Sequence, residues 1–271
     1  DFIMINIKKV LSTTLITALL FTGCANNQSS STDATGGSTE STTTAATSSG
    51  ASQTGSTSVS SPTVIGSSDM FTNRDKEVGY DESKSVKLTL SGDSITSSSD
   101  SVTISGSTAT ITVEGTYILS GALDDGMIIV NADDTAKIQL VLDNVTVNSS
   151  TSAAIYVCSA DKVFITLASG SENTLSNGGE YVAIDDNNID SVIFSKSDLT
   201  LNGNGTLDIN AEAGHGIVSK DDLVITSGTY VITAASHGLS AKDSIRIADG
   251  TFKIVTGKDA LHADNEDDEE K

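Results

Sequence analysis

The reading of the fold turns on Gly214-His215-Gly216-Ile217-Val218-Ser219-Lys220-Asp221-Asp222-Leu223-Val224-Ile225, which runs on to Gly228-Thr229-Tyr230-Val231-Ile232. Twenty-two residues later the phrase returns as Ser236-His237-Gly238-Leu239-Ser240-Ala241-Lys242-Asp243-Ser244-Ile245-Arg246-Ile247, closed by Gly250-Thr251-Phe252-Lys253-Ile254. A third copy opens at Lys258-Asp259-Ala260-Leu261-His262-Ala263. Self-similarity at so short a period marks stacked repeats, each burying its apolar side with its neighbours.

Working outward, residues 127–130 and 137–142 are echoed by 154–157 and 162–167, then by 192–196, 199–201 and 205–209. Each copy of about 22–25 residues holds about three short alternating runs between Gly, Asn and Asp turns. Alternation at this length reads as strands, and no helical period competes with it. The pattern predicts an all-β chain built as a parallel β-helix. Faces follow from the period of two. Leu199, Leu201, Leu207, Ile209, Leu223, Ile225, Tyr230, Ile232, Ile245, Ile247, Phe252 and Ile254 are expected inside, with Ile193, Ile217, Leu239 and Leu261. Thr200, Val224, Arg246, Asp208, Val231 and Lys253 are expected outside.

The N-terminus has a different character. Lys8-Lys9 precede an apolar-leaning run from Val10 to Phe21 that ends at Thr22-Gly23-Cys24. That is the grammar of a secretory signal, and the run is too short to span a membrane. Cys24 after Gly23 resembles a bacterial lipobox. We therefore expect a lipoprotein signal at 1–23, lipidation at Cys24, and a Ser/Thr-rich tether over 24–70 that lacks the apolar residues to fold. The β-helix domain would occupy 71–271, truncated at its C-terminal end, on an extracellular protein held to the membrane by lipid alone. Cys158 is then left without a partner, as a small apolar side chain.

The 271 residues carry a formal charge of -21 with one Pro and no Trp. Such acidity argues against nucleic acid, which needs a basic footprint. It fits neutral polymers, cations or basic partners.

Stacking turns repeats into columns of side chains about 4.8 Å apart. One runs Ser197, Asp221, Asp243, Asn265; its neighbour runs Asp198, Asp222, Ser244, Glu266; beside them stand Lys196, Lys220, Lys242 and Asp264. The column is either a salt-bridge ladder or a set of hard oxygen ligands for Ca²⁺, densest at Asp264 and Glu266. Asp185, Asp186, Asn187 and Asp190 form a second calcium candidate, without the Gly and Glu spacing of an EF-hand. His215, His237 and Asp259 form a third column, able to hold a transition metal or to act as a polar turn ladder. For glycan, Tyr156 and Phe194 are expected on an exposed outer column with Val218, Ser240 and His262, with Tyr181 nearby. Arg246 is expected on a different face from the acidic columns.

Residues 180–190, 195–203 and 216–223 resemble the carbohydrate-binding domain family of bacterial cell-surface β-helix lipoproteins. The resemblance implies a right-handed, pectate-lyase-like parallel β-helix, bound calcium, and non-catalytic binding of polysaccharide such as cellulose or polygalacturonate. The family phrase reads Gly-Asp-Gly where this chain has Gly214-His215-Gly216 and Ser236-His237-Gly238, which would shift a calcium site there toward Asp259. A calcium-dependent lyase and a passive adhesin or wall spacer stand as alternatives. A lyase needs a basic Lys or Arg beside a metal-bridged carboxylate, and lysines set among carboxylates are held protonated.

Overall fold

The structure is a computed structural model and describes residues 70–264. The expected signal, Cys24, nearly all of the tether and Glu266 lie outside the described residues. Within them the regular structure is twenty strands and one 3-10 turn, Arg74–Lys76.

The strands fall into a twelve-stranded and an eight-stranded sheet. Pairing is parallel through the repeated region, each strand bonding to the equivalent strand of the repeats before and after. Ser191–Ser195 lies between Ile155–Ser159 and His215–Ser219. Asp198–Gly203 lies between Lys162–Leu167 and Leu223–Ile225. Thr206–Ala211 lies between Glu172–Asn177 and Thr229–Ala234. These are the first, second and third columns. They continue through Leu239–Ala241 and Leu261–Ala263, through Ile245–Ile247, and through Thr251–Thr256. Ile217 pairs with Leu239, Leu223 with Ile245 and Tyr230 with Phe252, so the 22-residue repeat in the sequence is the register of the sheets. Lys137–Ser149 is one long strand serving both second and third columns. At the N-terminal side two antiparallel hairpins, Val86–Gly92 with Ser94–Ser97 and Val102–Ser105 with Thr108–Ile111, finish the two sheets.

The inward residues converge on one apolar core. Leu199, Leu201, Leu207, Ile209, Ile217, Leu223, Ile225, Tyr230, Ile232 and Leu239 are fully buried in it, each contributing about 2 kcal/mol by area removed from water. Tyr230 stacks on Phe252 with ring centroids 5.2 Å apart. The glycine two residues ahead of each aromatic makes room for the ring. A Cβ at Gly228 would stand 2.7 Å from the Tyr230 hydroxyl, and one at Gly250 2.9 Å from Phe252. The last repeat departs from expectation: Leu261 is 48% exposed and Ile247 also meets solvent. No described strand stacks beyond theirs, so the inner side stays open there.

The outer face of the second column is also not as expected. Thr200 and Val224 are buried, because residues 70–77 lie across it. Thr200 Oγ1 donates to Asp75 Oδ1 at 2.8 Å, Asn202 Nδ2 to the Asp75 and Glu77 carbonyls, and Thr226 Oγ1 to the Asp75 carbonyl at 2.7 Å. Arg246 Nη1 reaches the Met70 carbonyl, and the Arg74 guanidinium lies 4.4 Å from the Phe164 ring centroid. Asp75, 2% exposed, takes the Lys162 ammonium at 2.9 Å. Burial pushes its carboxyl pKa up, but Lys162 and the hydroxyls of Thr200 and Thr72 outweigh that and hold it below the usual carboxylate value. Nothing in the polar sequence around Asp75 signals so central a role.

Candidate functional site

The site is built on the outer face of the first column. Alternation puts Tyr156, Phe194, Val218, Ser240 and His262 there in one register. The expectation that Tyr156 and Phe194 are exposed for glycan is overturned: they are 2% and 1% exposed. They do point away from the main core, but the segment 178–190 folds back over them. A second apolar cluster results, joining Met127, Ala153, Ile189 and Val218, with Tyr181 and Cys158 packed against it. Cys158 is free.

Polar contacts tie the cover down. Asn177 donates to the carbonyls of Ser149, Ser152 and Glu180 and accepts from the Gly179 amide, fixing the exit of the chain. The Tyr156 hydroxyl donates to Asp185 Oδ2 at 2.7 Å and accepts from Asn187 Nδ2 at 2.8 Å. Burial, then the Asp185 carboxylate, raises the Tyr156 pKa. Tyr181, whose pKa is raised mainly by burial, donates to the Ala213 carbonyl. All three aromatics chosen from sequence for glycan therefore serve packing.

Past the cover the face opens. A groove of about 430 Å³ is lined by Val218, Ser219, Lys220, Ser240, Ala241, Lys242, His262 and Asp264. The Lys220 ammonium sits 5.4 Å from the Phe194 ring centroid, marking the border between covered and open halves.

The acidic columns meet cations besides the expected lysines. Arg246 pairs with Asp222, correcting its placement on a separate face, and Ser244 donates to the other Asp222 oxygen at 2.6 Å. Lys162 stands 3.8 Å from Asp198. Asp221 keeps a raised pKa, through burial first and then the charges of Asp198, Asp243 and Asp222. Around the second calcium candidate, Asp185 spends one oxygen on Tyr156 and the other on the Asn187 amide. Asp186 is exposed, and Asp190 faces His215 with Oδ2 3.8 Å from Nε2. The structure does not gather Asp185, Asp186 and Asp190, or Asp221, Asp222 and Asp243, into a shared set of ligands. Among the described residues the one group of three or more metal-ligating types that converges is His237, Asp259 and His262.

That group grows out of the histidine column. His215 stacks on His237 with centroids 5.1 Å apart, and His237 on His262 at 4.1 Å. The stack follows the backbone: the His237 amide donates to His215 Nδ1 at 3.4 Å, and the Asp259 amide to His237 Nδ1 at 3.3 Å. Burial, then the neighbouring His262 ring, lowers the His237 pKa; burial likewise lowers that of His215. By strand alternation His262 belongs to the outer column with Ser240. Its three-residue offset from Asp259 was the available sign that it could reach the other.

Comparison with known proteins agrees with this architecture. A family described as carbohydrate-binding domain-containing protein matches residues 105–271, and the chain belongs to that family. A carbohydrate-binding domain-containing protein of Acetivibrio thermocellus is 40% identical over 126 residues, 46% of this chain. The chain spans under half of that relative, 44% of its length. A solved structure of a polysaccharide lyase-like protein from C. thermocellum, as a gadolinium derivative, superposes with a TM-score of 0.66 at 34% identity. The match covers 69% of this chain and 77% of that one.

Proposed function

We propose that this member of the carbohydrate-binding domain family is a cell-surface lipoprotein that binds polysaccharide without cleaving it. The domain would coil as a right-handed parallel β-helix, tethered through residues 24–70 to a lipid on Cys24. The observation that carries the binding reading is the open half of the first-column face. A groove of about 430 Å³ on a rigid parallel sheet offers hydroxyl and ammonium groups at successive repeats. Stacked repeats present such groups at the regular spacing that a polymer of identical units requires. Lys220 at its edge favours an acidic glycan such as polygalacturonate over cellulose.

Calcium would sit at Asp221 and Asp243 of the acidic columns, since Asp222 is taken by Arg246 and Ser244. Burial, then the charges of Asp198, Asp243 and Asp222, raise the pKa of Asp221, and a hard cation beside it would relieve the repulsive part. Asp185 is already engaged by Tyr156 and Asn187. A lyase centre at the acidic columns has less support, since Lys162 and Arg246 there are both held by carboxylates.

The test is retention of the purified chain on polygalacturonate and on cellulose, with and without calcium. Binding that Lys220→Ala and a groove-filling Ser240→Trp both weaken supports the reading. Release of unsaturated uronate ends, seen as new ultraviolet absorbance, overturns the non-catalytic part. Failure to retain the chain on either glycan overturns the binding part.

A further inference from the structure

We propose that His237, Asp259 and His262 form a binding site for a divalent first-row metal of the zinc, nickel and cobalt class. The site borders the proposed glycan groove through His262 and is distinct in chemistry from the calcium proposed at the acidic columns.

The geometry is close to that of a ligand set. The Asp259 carboxylate stands between two imidazoles, with Oδ2 3.4 Å from His237 Nδ1 and 3.6 Å from His262 Nδ1. Ligands of a tetrahedral zinc, each about 2.1 Å from the ion, lie about 3.4 Å from one another. All three candidate atoms lie within 4.8 Å of one another. The remaining adjustment falls on angles. The two rings stack with planes only 15° apart, so their lone pairs run nearly side by side. They must splay to share an ion. His262 is the freer ring, its side chain 35% exposed on the border of the groove.

The surroundings suit a metal. The bond that His237 Nδ1 would give up, from the Asp259 amide, is already long at 3.3 Å. The Asp259 side chain is 65% exposed, so water can reach the freed amide. If Nδ1 of His262 binds the ion, Nε2 turns its N–H toward Asp264, whose Oδ2 lies 3.9 Å away. A carboxylate behind a ligating imidazole is the usual arrangement for fixing its tautomer and raising its basicity. His215 stands behind His237 outside the converging group, its Nε2 turned to Asp190 instead. Two imidazole nitrogens and one carboxylate oxygen leave coordination positions open for water. That donor set selects borderline metals; calcium wants six or more oxygens.

The chain has three histidines, all in this stack, which makes the experiment clean. The untagged chain is stripped with chelator and titrated with Zn²⁺ and Co²⁺ by calorimetry. Histidine ring resonances are followed by NMR. We expect one equivalent of metal, with the His237 and His262 resonances shifting most. His262→Gln and Asp259→Asn should each weaken binding by more than about tenfold, while His215→Asn leaves it in place. Both strong substitutions are at solvent-accessible side chains, so a folded variant is available for comparison. Absence of binding to the parent chain overturns the proposal. So does binding that survives both substitutions, or that excess calcium displaces.

Discussion

Two halves of one sheet face differ more than the two sheets do. Tyr156 and Phe194 share a register with Ser240 and His262, on the same side of parallel strands. The first pair is sealed under residues 178–190 and the second pair lines an open groove. Alternation decides which way a side chain points; the length of a connection decides whether it meets water. Between third and first columns the chain takes residues 178–190 in one repeat and only 212–214 in the next. Val218 still lies within the covered cluster, and beyond it the short turns leave Ser240 and His262 partly open to solvent.

The covered half is most sensitive at Phe194. Phe194→Ala should cost about 4 kcal/mol of unfolding free energy, the loss typical of a buried ring. A ring in solvent would cost less than about 0.5 kcal/mol, and denaturant melts separate the two. Asp75→Ala should cost about 3 kcal/mol, because it leaves the largely buried Lys162 ammonium only the more distant Asp198 carboxylate. The same contact sets a pH signature. The Asp75 pKa is depressed in the fold, so its stabilisation is whole above the unfolded value, about 3.9, and is lost as pH falls through the folded value. A parent chain whose acid denaturation matches that of Asp75→Asn would refute this. Tyr156→Phe should cost about 1 kcal/mol by removing the hydroxyl that ties Asp185 and Asn187 to the sheet. Hydrogen exchange should then quicken within 178–190 first. Smallest is Ser240→Ala on the open half, within about 0.5 kcal/mol in stability, where any effect should fall on glycan retention instead.

Much of this was written in the sequence. The period named the register, and alternation placed Leu207, Ile217, Leu223 and Tyr230 in the core. Both are local signals that every repeat restates. What the sequence did not show was which outer faces are covered. Asp75 and Thr200 meet across 125 residues, and Asp185 and Tyr156 across 29, through contacts that occur once and leave no periodic trace. Arg246 escaped its partner for a similar reason. Its side chain runs along the outer face to Asp222 of the preceding repeat, a reach that strand alternation does not describe. The histidine site was half visible: the column suggested His237 with Asp259, and only the folded backbone brought His262 over them.

The segment around Asp75 has a consequence for how the molecule comes apart. Stacked repeats usually behave as a one-dimensional chain of neighbours, able to fray from either end. Here residues 70–77 bond to Thr200, Asn202, Thr226 and Arg246, which belong to three successive repeats of the second column, and reach Lys162 in a fourth. Opening any one of these repeats breaks a contact held in common with the others. A clasp laid crosswise over the stack thus couples the repeats it crosses, so that these open together rather than one by one.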